Sequence, residues 1–425
     1  MPKELKIMQD PNPQQKDVRD LNLKYPHLAS ALSAILLALG AIAYGIVYAQ
    51  SLEQKYIHTL APLMLPQANI GSALQEAGFQ QSDLLMVYGS SELLVENQTM
   101  YGAPQFFQYY PTGFDVYEIA NVADTSLNIA QDLAAIGPKL RGRKVVFSFT
   151  PAMFIKQLDP LAYAGNFSLL HANALIFNSY LNLETKRIAA QRMYHYPDTL
   201  DDDLVLQFAV QELNCGCWYG SYLYDLTVPL GQLDTWIIQL QDHWEILNYI
   251  WRHPKSSLQV IRKSRQIDWS KQIAQALIIQ KIYSNNNPYG IDNRNWKIKY
   301  SQILTTPKAP GSADPEFIQM LNDSKEWTDF DLSLQVLKEL GAQPLILSRP
   351  LDGPVLDAMG ISWQARREFY VKLQNTVAPY GFPLVDFVNY DSDRYFSLDE
   401  GSHTSREGWV YVDMNLDAFF HGQIH

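Results

Sequence analysis

The chain has 425 residues, a formal net charge of −11 and 47% hydrophobic residues. It is long enough to bury an ample core, and it carries no long basic run, so it lacks the electrostatic footprint of a nucleic-acid-binding protein. Its two cysteines, Cys215 and Cys217, flank Gly216 with no nearby histidine. That spacing gives no zinc site, and it leaves either a strained short bridge or two free thiols.

In chain order, residues 1–28 form a polar tail with Pro11, Pro13 and Pro26, too hydrophilic to fold alone. Ala29–Ala49 follows without a single Asp, Glu, Lys or Arg. As a helix rising ~1.5 Å per residue it would cross a hydrocarbon core of ~30 Å. Lys3, Lys6, Lys16, Arg19 and Lys24 precede it, and Lys55 is the only lysine or arginine between it and Lys139. The positive-inside rule then predicts a cytoplasmic N-terminus and an extracytoplasmic domain over 51–425. A cleaved signal peptide ending at Val47-Tyr48-Ala49 and a buried core helix are the competing readings.

Beyond the span, Leu84–Tyr88 reads as a buried strand that breaks into Gly89-Ser90-Ser91-Glu92. A serine there either caps a helix or stands at the mouth of an α/β sheet, where such folds place nucleophiles. Further strands are predicted at Asp115–Ala120, Lys144–Phe149, Pro344–Leu347 and Pro383–Phe387, and helices at Ser126–Ile136, Asp329–Leu340 and Ser362–Val377. The stretch 167–312 has helical spacing, notably at Leu230–Trp251 and Lys271–Tyr283, with a loop-rich part over Ser284–Ser312. This alternation predicts a three-layer α/β sandwich around a mainly parallel sheet, with a mostly helical insertion and one N-terminal transmembrane helix.

The second chemical signal is Leu398-Asp399-Glu400-Gly401-Ser402-His403 before the C-terminal helix. A serine nucleophile needs a base, and a histidine base needs an acid to hold its tautomer. Acids three and four residues before His403 set it apart from His58, His171, His195, His243 and His253, which read as surface or packing residues.

The order of these features resembles the SGNH/GDSL hydrolase superfamily and, within it, the DltD family of D-alanyl-lipoteichoic acid biosynthesis proteins. The matching stretches are the single span, Tyr88-Gly89-Ser90-Ser91-Glu92, Phe149-Thr150-Pro151-Ala152-Met153-Phe154, Gly165-Asn166-Phe167-Ser168, and Asp399/Glu400 with His403 and Gly408-Trp409-Val410. The resemblance implies Ser91 as nucleophile, His403 as general base, and Asp399 or Glu400 as the orienting acid. Glu400 holds the superfamily's usual place three residues before the histidine. Where such proteins have glycines after strand two, this chain has Ala120-Asn121-Val122-Ala123-Asp124, and neither Asn121 nor Asn166 is assigned to an oxyanion hole.

What the resemblance implies is a membrane-anchored serine acyltransferase working outside the membrane without a cofactor or metal. It would take a D-alanyl group from a donor chain through a membrane-bound O-acyltransferase and pass it to teichoic acid. Two other readings stay open: an SGNH acyltransferase or esterase acting on another envelope glycan, and a non-catalytic tethered partner of an acyltransferase.

Overall fold

A computed structural model describes residues 26–60, 71–94, 100–155, 160–252, 265–399, 401 and 403–424. The expected tail over 1–25 and the candidate acid Glu400 lie outside the described residues. The chain divides into two compact units, 1–48 and 49–425.

The first unit holds most of α1 (Pro26–Leu60), which is long and apolar enough to cross a membrane. Its Leu36, Leu37, Tyr44 and Val47 side chains are exposed, which costs free energy in water and none in lipid.

In the second unit five strands form one parallel sheet: β1 (Leu84–Gly89), β2 (Asp115–Ala120), β3 (Lys144–Phe149), β4 (Gln343–Ser348) and β5 (Leu384–Val385). The spatial order is β2-β1-β3-β4-β5. Leu84, Met86 and Tyr88 face one core, and Leu85 and Val87 face the other, as the period of two demands. Both faces are covered, so the strands read as continuous apolar runs rather than alternating ones.

Over the first face lie α2 (Ser72–Phe79), α5 (Ser126–Ile136), α11 (Glu326–Glu339) and α12 (Trp363–Val377). Over the second lie α4 (Ala103–Tyr109), α10 (Trp269–Tyr283) and α13 (Arg406–Phe420). Thr125 and Asn128 start α5 with a reciprocal capping box. The short α3 (Ser91–Leu94) begins directly after β1. Between β3 and β4 the described residues contain helices and no strand, chiefly α6 (Leu169–Ile176), α7 (Leu183–Met193), α8 (Leu204–Asn214), α9 (Gly220–Arg252) and α10.

The structure departs from the sequence reading at several points. The fifth strand shrinks to Leu384–Val385, because Phe387 adopts φ 48°, a left-handed conformation that ends extended pairing. The stretch read as loop contains a helical segment from Asn293 to Ile303. Of the two readings left open for Cys215 and Cys217 the structure shows the bridge, a disulfide across Gly216, whose φ of 62° provides the tight turn.

Gly408, in the first turn of α13, sits against the carbonyl oxygen of Phe396 and the methyl group of Thr404, in space that a Cβ would occupy. Gly408→Ala should therefore lower stability by about 1–3 kcal/mol, the range of overpacked sites. Chemical denaturation of the detergent-solubilised chain checks this, and an unchanged midpoint would contradict the packing described.

Candidate active site at the carboxyl edge of the sheet

The order of the strands reverses between β1 and β3, so the loops after these strands diverge and leave a crevice beyond their carboxyl ends. The turn after β1 borders it. Both carboxylate oxygens of Glu92 accept from the Ser90 N–H at 3.1 Å, which folds the chain back on itself. Gly89 is required there, since a Cβ would lie 2.5 Å from Glu92 Oε1 and 2.6 Å from Leu93 Cδ1. Ser90 is buried and its hydroxyl donates to the Asn121 carbonyl at 3.3 Å. Ser91, at the start of α3, keeps part of its surface open.

The histidine lies in a hairpin-like turn. Ser397 and Thr404 form an antiparallel bridge, and the Leu398 N–H donates to the His403 carbonyl at 2.9 Å. Inside this turn Asp399 grips the histidine twice. Its Oδ1 accepts the His403 backbone N–H at 3.0 Å, and its Oδ2 lies 2.6 Å from His403 Nδ1. A carboxylate at Nδ1 makes that nitrogen the donor and leaves Nε2 as the basic one. The turn geometry, rather than helical spacing, is what brings a residue four positions earlier onto the ring. Gly401, at φ 92°, lets the turn press onto the segment after β4, its Cβ position being 3.2 Å from the Pro350 carbonyl.

Asp399 and His403 are thus brought into contact, and Ser91 and His403 to the same edge of the sheet. Each loop is held from behind by a buried polar group. Ser148, near the end of β3, donates to Glu92 Oε1 at 3.2 Å. Arg349, one residue past β4, is 1% exposed and donates from Nε to Thr404 Oγ1 at 2.6 Å. Its guanidinium also lies over the Trp409 ring, 5.1 Å from the centroid.

Burial raises the Glu92 carboxyl above the usual carboxylate range, and the Arg349 guanidinium is the largest opposing influence. Burial also pushes Arg349 down to about 10, against the charges of Glu92, Glu118 and Asp413. The cation therefore stands among acids that burial would otherwise leave uncompensated. Sequence reading missed it, although an arginine two residues after the apolar run Leu345-Ile346-Leu347 was a signal that this charge ends inside the protein.

Other groups divide clearly. The Asn121 N–H and side-chain amide both donate to Asp124 Oδ2, at 3.0 and 3.1 Å, and the Asn166 amide donates to the Val122 carbonyl at 2.9 Å. Both side chains are thus engaged in holding the turn after β2, where Ala123 takes φ 61°, a conformation that suits glycine. Glu212 lies beside Cys215 and Cys217, but those sulfurs are bonded to each other and do not offer thiolate ligands.

Elsewhere a serine, a histidine and an aspartate stand in hydrogen-bond contact. Ser72 Oγ lies 2.7 Å from His171 Nε2, and His171 Nδ1 lies 2.5 Å from Asp132 Oδ1. All three are buried, and Asp242 accepts the Gly71 and Ala73 N–H groups at 2.7 and 2.8 Å, filling the start of α2 where an oxyanion would need donors. This chain pins α2, α5, α6 and α9 together over one face of the sheet.

Replacing Arg349 by Met keeps volume but leaves Glu92 without its cation. We expect a loss of about 1–3 kcal/mol, because Thr404 Oγ1 loses its buried donor and Glu92 the charge that opposes its desolvation, and partial recovery when Glu92→Gln is added. Denaturant midpoints of the single and double variants check this; additive losses would contradict the coupling.

The profile described as "DltD protein" matches residues 62–421. The chain is 27% identical over 390 residues to "Protein DltD" of Bacillus subtilis (strain 168), covering 91% of this chain and 95% of that one. It is 23% identical over 356 residues to "Protein DltD" of Staphylococcus aureus (strain NCTC 8325 / PS 47), covering 83% and 85%. A match spanning most of the chain, together with the strand-end serine and the Asp399–His403 turn, means that this chain belongs to the DltD family.

Proposed function

We propose that the protein is a serine acyltransferase of D-alanylation, in which Ser91 carries a D-alanyl ester on its way to a hydroxyl of teichoic acid. The observation that carries this reading is the Asp399–His403 pair, 2.6 Å apart, held at the sheet edge where Ser91 opens α3. Membership of the DltD family supplies the substrate class.

In the proposed sequence His403 Nε2 takes the Ser91 hydroxyl proton as Oγ attacks the donor carbonyl. The tetrahedral adduct collapses, the donor's leaving group departs with the proton returned by the imidazolium, and acyl-Ser91 remains. A teichoic acid hydroxyl then gives its proton to Nε2, attacks the ester carbonyl, and Ser91 leaves with that proton. Asp399 keeps Nδ1–H in place and stabilises the imidazolium formed in each half. Glu92 and Arg349 position the two loops and do not touch the acyl group. The donor is a D-alanyl carrier chain served by a membrane-bound O-acyltransferase, and the N-terminus of α1 lies in the cytoplasm with the domain outside.

An esterase or acyltransferase on another envelope glycan would use the same residues, whereas a non-catalytic tethered partner would not need them. A fluorophosphonate probe separates these classes. It should label the wild-type chain, fail on Ser91→Ala and His403→Ala, and still label Ser90→Ala and Ser72→Ala. Asp399→Asn should slow D-alanyl transfer on the order of 10³–10⁴-fold, and Ser91→Ala with His403→Ala combined should be scarcely worse than either alone. Loss of labelling in Ser72→Ala, with Ser91→Ala unaffected, would move the site to the buried chain.

Topology is read independently. A cysteine placed at Lys6 should resist an impermeant thiol reagent in intact cells, and one at Gly311 should react. The reverse pattern would rule out an extracytoplasmic transferase.

A further inference from the structure

The outward face of α9 reverses the usual amphipathic arrangement. Its inner side, with Tyr224, Gly231, Asp242, Ile246 and Ile250, is buried in the core. Its outer side carries Tyr222, Leu226, Leu230, Leu233, Trp244 and Trp251, between 49% and 65% exposed. At about 100° per residue these six fall within an arc of roughly 80°, so they form one stripe along a helix of 33 residues. A continuous apolar face of this length marks a contact surface.

We propose that this stripe is a phospholipid-binding surface, resting in the boundary between headgroups and acyl chains of the bilayer that α1 enters. The inference does not depend on the acyl-transfer reading. Two observations select lipid as the occupant.

The first is chemical. The chain has nine tryptophans. Trp218, Trp236, Trp244 and Trp251 lie on α9 or its lead-in, and they are 90%, 38%, 56% and 49% exposed. Tryptophan and tyrosine favour the membrane interface, because the ring is apolar and its N–H or O–H stays wet. Flanking Asp225 and Glu245 are also exposed, so apolar insertion rather than attraction to anionic lipid drives the contact.

The second is positional, and it lies wholly within the second unit. Ala49, the last residue of the uncharged span, is 1% exposed and begins a buried stripe with Glu53, Ile57 and Leu60. His243 Nδ1 lies 2.7 Å from Glu53 Oε1, next in sequence to Trp244. Four residues of helix, about 6 Å of rise, therefore separate the end of the apolar span from the residue that grips α9. Within this unit α9, which carries the aromatic stripe, is thus tied to the part of α1 that continues the apolar span.

The test uses the full-length chain in phosphatidylcholine liposomes with bromine placed either shallow or deep on the acyl chains. No tryptophan lies in α1, so quenching of tryptophan emission reports on the domain alone. The expected result is quenching that is strongest with shallow bromines. It should fall at least about 2-fold when Trp236, Trp244 and Trp251 are all replaced by Phe, which keeps the stripe apolar while removing its emission. A thermal melt matching wild type shows that this variant is folded. Emission indifferent to bromolipid would overturn the proposal in favour of a protein cover, a second copy or a membrane-protein partner. Equal quenching in the variant would also overturn it, by placing the lipid contact elsewhere.

Discussion

The site depends on one buried cation. Arg349 sits just past strand β4 and acts on the two loops that carry the candidate chemistry: by charge on Glu92, next to Ser91, and by a 2.6 Å hydrogen bond to Thr404, next to His403. A guanidinium that is 1% exposed is costly to desolvate, and the electrostatic influence of Glu92, Glu118 and Asp413 opposes that cost while Thr404 accepts its Nε–H. The arrangement couples stability to geometry.

This also explains why the glycines of the two motifs stand where they do. Gly89 leaves room for Glu92 to fold under Ser90, and Gly408 lets α13 approach the strand-like segment that ends in His403. Neither glycine handles substrate; each allows an acidic or a basic element to be held rigidly from behind. Preorganisation of this kind is how a site avoids reorganising when charge develops.

Much of the sheet was legible in the sequence, because β1 to β4 are apolar runs with clear breaks and both faces are buried. The strand Asp115–Ala120, the strand Lys144–Phe149 and the helix Ser126–Ile136 keep the ends read from their punctuation. The fifth strand was overestimated because the φ of Phe387 cannot be seen in residue type. Asp399 was legible as one of two candidate partners of His403, and its contact with the ring arises from a hairpin turn that sequence spacing does not encode, Glu400 lying outside the described residues. Arg349 escaped because the groups around it come from α3, β2, α13 and the His403 turn, and only the parallel register of the sheet assembles them. Ser72, His171 and Asp132 escaped for the same reason: they are 99 and 39 positions apart and meet only where α2, α5 and α6 pack. The buried Ser72–His171–Asp132 chain shows that the constellation alone does not identify a site; access and free backbone donors must accompany it.

The claim on which the account turns is that the acyl group rides on Ser91. The most direct measurement is mass spectrometry of peptides from the full-length protein, acid-quenched while it turns over D-alanyl donor in its native membrane. The account predicts a D-alanyl ester on the peptide containing Ser91, accumulating when acceptor is withheld and discharged when it is restored. An ester found on Ser72 or Ser90, or turnover with Ser91 never modified, would contradict it.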